Sequence, residues 1–112
     1  MSRFAPLPEP PYYAVIFTTR RTAQDAGYGN MAERMEELAT DQPGYIGIET
    51  ARGEDGIGIT VSYWRDEASI AVWKAVADHA AAQEFGKTRW YEHYVLRVAR
   101  VERAYSGPEG RS

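Results

Sequence analysis

Residues 57–83 read IGITVSYWRDEASIAVWKAVADHAAAQ, and they restrict the fold more tightly than any other part of the chain. The first eight alternate. Ile57, Ile59, Val61 and Tyr63 point one way; Gly58, Thr60, Ser62 and Trp64 point the other. That pattern predicts a strand with one bulky apolar face and one small face closed by a Trp. Asp66 then offers a carboxylate to cap a helix, and Glu67 suits the positive end of its dipole. From Ala68 to Gln83 the chain is alanine-rich and free of Gly and Pro, so a helix is predicted. Ile70, Trp73, Val76, Ala77, Ala80 and Glu84 recur at steps of three and four and form its buried stripe. A small-faced strand running into a helix that carries Trp73 and His79 can wall a cavity between sheet and helix.

The remaining segments frame this unit. Residues 1–11 hold prolines at 6, 8, 10 and 11 and read as an extended arm. Tyr12 to Thr19 is a strand apolar on both faces, hence central. After a polar loop, Tyr28, Met31, Ala32, Met35, Leu38 and Ala39 give a helical stripe, which Gln42-Pro43-Gly44 stops. Tyr45 to Arg52 is a second strand, joined through Gly53-Glu54-Asp55-Gly56 in a hairpin to the third. Gly86 reads as the stop of the second helix. Trp90 to Tyr105 is a long last strand whose alternation changes phase: Tyr94, Leu96 and Val98 share one phase, Val101 and Tyr105 the other. A bulge, or a change of partner midway, accounts for that. Residues 12–105 therefore form one domain, and 106–112 a flexible Gly/Pro tail. The order strand, helix, strand, strand, helix, strand is the split βαβ, ferredoxin-like arrangement: α+β, an antiparallel sheet, both helices on one face. The other face would be bare, and a second copy packing sheet to sheet is its natural cover.

Composition removes several function classes. The chain has 112 residues and a net charge of −3, which argues against a nucleic-acid binder working by phosphate neutralisation. It has no cysteine, so disulfides, thiol catalysis and cysteine metal sites are gone. No apolar run approaches the ~18 residues of a membrane span, and the N-terminus lacks a signal-type segment, so the expected location is the cytoplasm. Two histidines fourteen residues apart match no metal-ligand spacing, and Gly27-Tyr28-Gly29 is too short for a phosphate loop.

Four runs carry a family resemblance: PGYIGIE (Pro43 to Glu49), ITVSYWRDEASIAVWK (Ile59 to Lys74), HAAAQ (His79 to Gln83) and WYEHYVLRVARVER (Trp90 to Arg103). Together they resemble the antibiotic biosynthesis monooxygenase family, and within it a small uncharacterised bacterial branch, over roughly Tyr12 to Tyr105. The resemblance implies a dimeric α+β barrel that oxygenates small aromatic, phenolic or quinol-type compounds with O₂, without metal, flavin or haem. Trp64 matches the Trp that closes the third strand in polyketide-oxidising members. Those members carry an Asn where Thr60 stands and a Tyr where Ile70 stands. Haem-degrading members carry an Asn on the first strand, which this chain lacks there, and a His where Gln83 stands. Both catalytic sets are therefore incomplete.

Oxidising a phenol with bare O₂ asks for a base near neutrality, a dry cavity and aromatic walls. His79 and His93 are the only histidines. His79 falls at the edge of the helical stripe and is the candidate catalytic base; the plain alternative is a boundary residue bonded to a carbonyl or water. His93 and the arginines Arg97, Arg100 and Arg103 read as structural or solvated. The substrate-binding candidates are Trp64, Trp73, Thr60, Ser62, Tyr13 and Phe17, although large aromatics also dominate ordinary cores and small residues also admit tight packing. A non-catalytic binder of a small apolar ligand is the rival class. An RNA-binding module shares the element order but is opposed by the acidic balance.

Overall fold

The computed structural model describes residues 4–21, 28–80 and 91–108. Its elements are β1 (Tyr12–Arg21), α1 (Tyr28–Thr40), β2 (Tyr45–Arg52), β3 (Ile57–Trp64), α2 (Glu67–Ala80) and β4 (Tyr91–Val101). The strands form one antiparallel sheet in the order β2-β3-β1-β4. This is the ferredoxin-like α+β fold, and β1, apolar on both faces, is indeed interior to the sheet. The expected hairpin is there as well. Gly56 takes a φ of 90°, Gly53 N–H donates to Ile57 O at 2.8 Å, and Asp55 Oδ1 accepts from Ile57 N–H at 3.0 Å.

Residues directly opposite in the ladders share a face. Tyr13, Val15, Phe17 and Thr19 on β1 stand opposite Trp64, Ser62, Thr60 and Gly58 on β3, so the small face of β3 lies on the same side as Val15. Both helices cover that side. Ala39 of α1 and Ile70 of α2 join Val15 and Trp64 in one buried cluster, with Tyr13, Tyr45, Trp73 and Leu96 packed against it. Ala77 and Ala80 are buried too, which follows the predicted stripe of α2. Asp66 caps α2 by accepting from Ser69 N–H at 2.8 Å. The bonded amide and hydroxyl of Ser69 hold the Asp66 carboxyl below its usual range.

The approach to α2 is fixed by close contact. Gly44 has a φ of 89°, and a Cβ there would overlap Ser69 Oγ and Cβ. Gly44 O also accepts from Arg65 N–H at 2.8 Å. The chain thus enters β2 pressed against the first turn of α2, and only glycine fits.

On the opposite, outer face, Tyr12 and Ala14 are buried while Ile59 is 45% exposed. The N-terminal arm lies over one corner: Ala5 N–H donates to Glu49 Oε2 at 2.8 Å, and a Cβ on Gly47 would meet Pro6 Cδ at 2.8 Å.

The last strand departs from expectation. Its pairing with β1 runs without a break from Tyr12↔Val101 to Arg20↔His93, and the single irregularity lies between Arg20 and Arg21, opposite the start of β4. No bulge sits midway. The phase change arises because β4 is an edge strand, with Tyr94 and Val98 exposed on the helix side and Val101 half-buried on the outer side. Weak burial on either face leaves the alternation loosely specified. The expected ends of helix two at Gln83 and Gly86, its stripe residue Glu84, and Trp90 lie outside the described residues.

Candidate functional site

The helix-facing side of the sheet is built around two indoles. Trp64 ends β3 and is fully buried. Trp73 lies two turns into α2, on the same stripe as Ile70. Their ring centroids are 5.4 Å apart at an interplanar angle of 35°, and Tyr45 meets Trp64 edge-on at 5.6 Å. Trp64 Nε1–H donates to Ser62 Oγ at 2.8 Å, within the small face of β3. Trp73 Nε1 is equally buried but has no hydrogen-bond partner among the described residues.

Of the residues picked out in the sequence, the fold brings Trp64, Trp73, Ser62 and Tyr13 together around one cluster. Phe17 and Thr60 sit on the same face, opposite each other and two residues along from Val15 and Ser62 respectively. Phe17 packs against Tyr94 at 5.4 Å, and Thr60 Oγ1 bonds Thr50 Oγ1 at 2.9 Å. Ser62 is 5% exposed and its hydroxyl is engaged by Trp64, so both residues form the floor of the site. Trp73, Tyr13, Phe17, Thr60 and Leu96 are partly buried.

His79 is exposed, in the last described turn of α2. At about 100° per residue, six positions place it roughly 120° around the helix from Trp73. His93, at the start of β4, is exposed as well. Sequence reasoning passed over Tyr45 and Leu96. Tyr45 was legible, since the hairpin sets it opposite Trp64. Leu96 was obscured by the mixed phase of β4.

A second polar cluster occupies the outer face. Tyr63 O–H donates to Glu49 Oε1 at 2.9 Å, while the other oxygen of Glu49 holds Ala5 N–H. Tyr12 meets Tyr63 edge-on at 6.0 Å. Burial and the neighbouring carboxylate push the Tyr63 phenol up to about 12. Burial, with Glu36 nearby, raises Tyr45 also, so both phenols stay neutral and act as structural groups near pH 7. Among the described residues no three His, Asp or Glu side chains gather closely enough to hold a metal ion, and no helix is long and apolar enough to cross a membrane.

The structure is a small α+β protein with a ferredoxin-like sheet, in which two indoles pack against each other between α2 and the sheet. Over residues 11–84 the chain matches the model of the antibiotic biosynthesis monooxygenase domain, and it belongs to that family. It is 54% identical over 96 residues to the uncharacterised protein YqjZ of Bacillus subtilis, covering 86% of this chain and 84% of that one. It is 35% identical to a jasmonate monooxygenase of Pyricularia oryzae over 80% of this chain but only 43% of the fungal protein. Among solved structures it resembles SnoaB, a cofactor-independent oxygenase from Streptomyces nogalater, with a TM-score of 0.63 and 12% identity, covering 88% of this chain and 99% of that one. At that identity the likeness speaks for the fold.

Proposed function

We propose that this chain is a cofactor-independent monooxygenase of a small aromatic, phenolic or quinol-type compound, working as a homodimer. The observation that carries the reading is the indole pair over the small face of β3. A flat ring laid on Trp73 would have Trp64 and Ser62 beneath it and Tyr13, Phe17 and Thr60 beside it. Kinship to a jasmonate monooxygenase and a fold shared with a cofactor-independent oxygenase support the chemical class. In such a reaction a ring CH₂ and O₂ become a C=O and H₂O. All four electrons that reduce O₂ come from the substrate carbon, so no outside reductant is needed. The chain's part is to hold the ring, to exclude water and to favour the deprotonated substrate.

In this reading His79, exposed near the end of α2, accepts the substrate proton through water. Removing a general base costs on the order of 10²–10⁴ in rate. His79→Gln should therefore lose most turnover while ligand affinity changes little. Wild-type turnover in a folded His79→Gln would make it a surface residue near the end of α2.

The exposure of both histidines favours one second reading, a binding protein that uses the same aromatic site without turnover. Oxygen uptake with a panel of naphthols and quinols in metal-free buffer separates the two. Uptake matched by transfer of one oxygen atom from ¹⁸O₂ into the product, without hydrogen peroxide, supports the oxygenase. Ring binding without uptake across the panel leaves the binding protein.

A further inference from the structure

The arm that precedes β1 is pinned to the sheet, yet it holds its two largest apolar side chains out to solvent. At β2, Ala5 N–H donates to Glu49 Oε2 at 2.8 Å and Pro6 lies against Gly47. From there the arm reaches Tyr12 at the start of β1, and β3 lies between those two strands, so the arm passes over the Tyr63 end of β3. Prolines at 6, 8, 10 and 11 fix φ along it, which leaves little chain entropy to lose on docking. Pro8 and Pro10 are half-buried, whereas Phe4 and Leu7 are 82% and 54% exposed. A stiff, seated strap of this kind displays Phe4 and Leu7 rather than folding them back.

Charge says what lies opposite. The ladders set Glu49, Val61, Ile16 and Arg97 in one row across the outer face, with a carboxylate at the β2 edge and an exposed guanidinium at the β4 edge. Strands spaced at about 4.8 Å keep these two roughly 14 Å apart within one chain, too far to pair. A second copy turned over about an axis parallel to the strands sets each Glu49 against Arg97 of the other copy, with Val61 and Ile16 between. An axis across the strands would set like charges against each other. Glu49 accepts one bond on each oxygen, from Tyr63 and Ala5, and a carboxylate has lone pairs for more. The same turn lays the next row, Gly47, Tyr63, Ala14 and Ala99, on its own reverse. The arm stands over Gly47, so it comes down on Ala99 of the other copy, which is exposed and small enough to leave room for it.

We infer that the arm is a clasp between subunits: Phe4 and Leu7 of each copy pack on the β4 edge of the other, over Ala99 and Val101. This rests on the homodimer of the proposed function and states how its two copies are joined.

Sedimentation over a range of concentrations gives the dimer dissociation constant of the full chain and of the variant carrying Phe4→Ser and Leu7→Ser. Both side chains are exposed within one copy, so circular dichroism should be unchanged, while the constant should rise at least about tenfold. Position is read separately. The chain has no cysteine, so single ones can be placed without background. Chains carrying Leu7→Cys are mixed with chains carrying Ala99→Cys and treated with a bis-maleimide that reaches about 10 Å, the spacing of packed sheets. The mixture should yield a linked dimer holding one chain of each kind, and neither chain alone should link. An arm variant that dimerises like wild type, a mixture that stays unlinked, or Leu7→Cys chains that link to one another would each overturn the clasp. A wild-type monomer would take the homodimer down with it. A wild-type dimer whose mixture stays unlinked removes the clasp alone and leaves the homodimer standing.

Discussion

Ser62 has a structural task that outlasts any ligand: its Oγ is the acceptor for an indole N–H inside the core. Ser62→Ala leaves that donor buried and unmet, so it should cost about 1–3 kcal/mol in urea unfolding. Thr50→Ala, which breaks the bond to Thr60 at an exposed position, should cost well under half of that. Tyr63 makes a prediction in pH. Its folded pKa, about 12, lies above the ordinary phenol value of 10.0. The group binds its proton more tightly when folded, so its stabilisation is complete below pH 10 and is lost as pH rises towards 12. The stability gap between wild type and Tyr63→Phe should therefore narrow between pH 9 and 11.5; a constant gap would mean that the Glu49 bond contributes nothing. At this scale the small face of β3 was legible from alternation alone. Which indole finds an acceptor was not, because that depends on rotamers and on how α2 is seated.

The elements were placed by sequence where burial is one-sided. Alternation on β3, the alanine-rich run of α2 and the Pro43-Gly44 stop all act locally, and the elements lie where those signals put them. Alternation on β4 misled, because an exposed edge does not force one phase. The residue leading into β2 is pressed against the first turn of α2. Gly44→Ala must bear both a left-handed φ of 89° and overlap with Ser69, and should cost on the order of 1–3 kcal/mol in thermal unfolding. Gly47→Ala, which crowds only Ala5 and Pro6, should release the arm to limited proteolysis while the sheet melts almost unchanged. Asp66→Ala removes the cap of α2. Because the Asp66 pKa is lowered from 3.8, its stabilisation is present at pH 7 and lost as pH falls through the folded value. The difference in urea midpoint between wild type and Asp66→Ala should therefore close in acid.

For the whole molecule, the outer face poses the open question that the helix face does not. Ile59 there is 45% exposed, and Phe4 and Leu7 on the arm are 82% and 54% exposed. A second copy laid on this face would cover Ile59, and an obligate interface of this kind buries more than about 2,000 Å². Light scattering should give twice the chain mass at micromolar concentration, and Ile59→Glu should halve it while the circular dichroism is retained. A wild-type monomer would remove the homodimer from the proposed function. The element order and the doubly apolar β1 made the bare face legible in sequence, but the contact that would cover it involves groups far apart in the chain. β4 has a different consequence. It ends the sheet, with exposed Arg97 towards the outer side and exposed Arg100 towards the helix side. A free edge is a growth front, able to add strand after strand from other copies, and a guanidinium on each side interrupts such stacking. Tolerance at these two positions is then set by filament nucleation. A chain carrying Arg97→Val and Arg100→Val should fold normally when dilute, yet seed thioflavin-positive fibrils on standing.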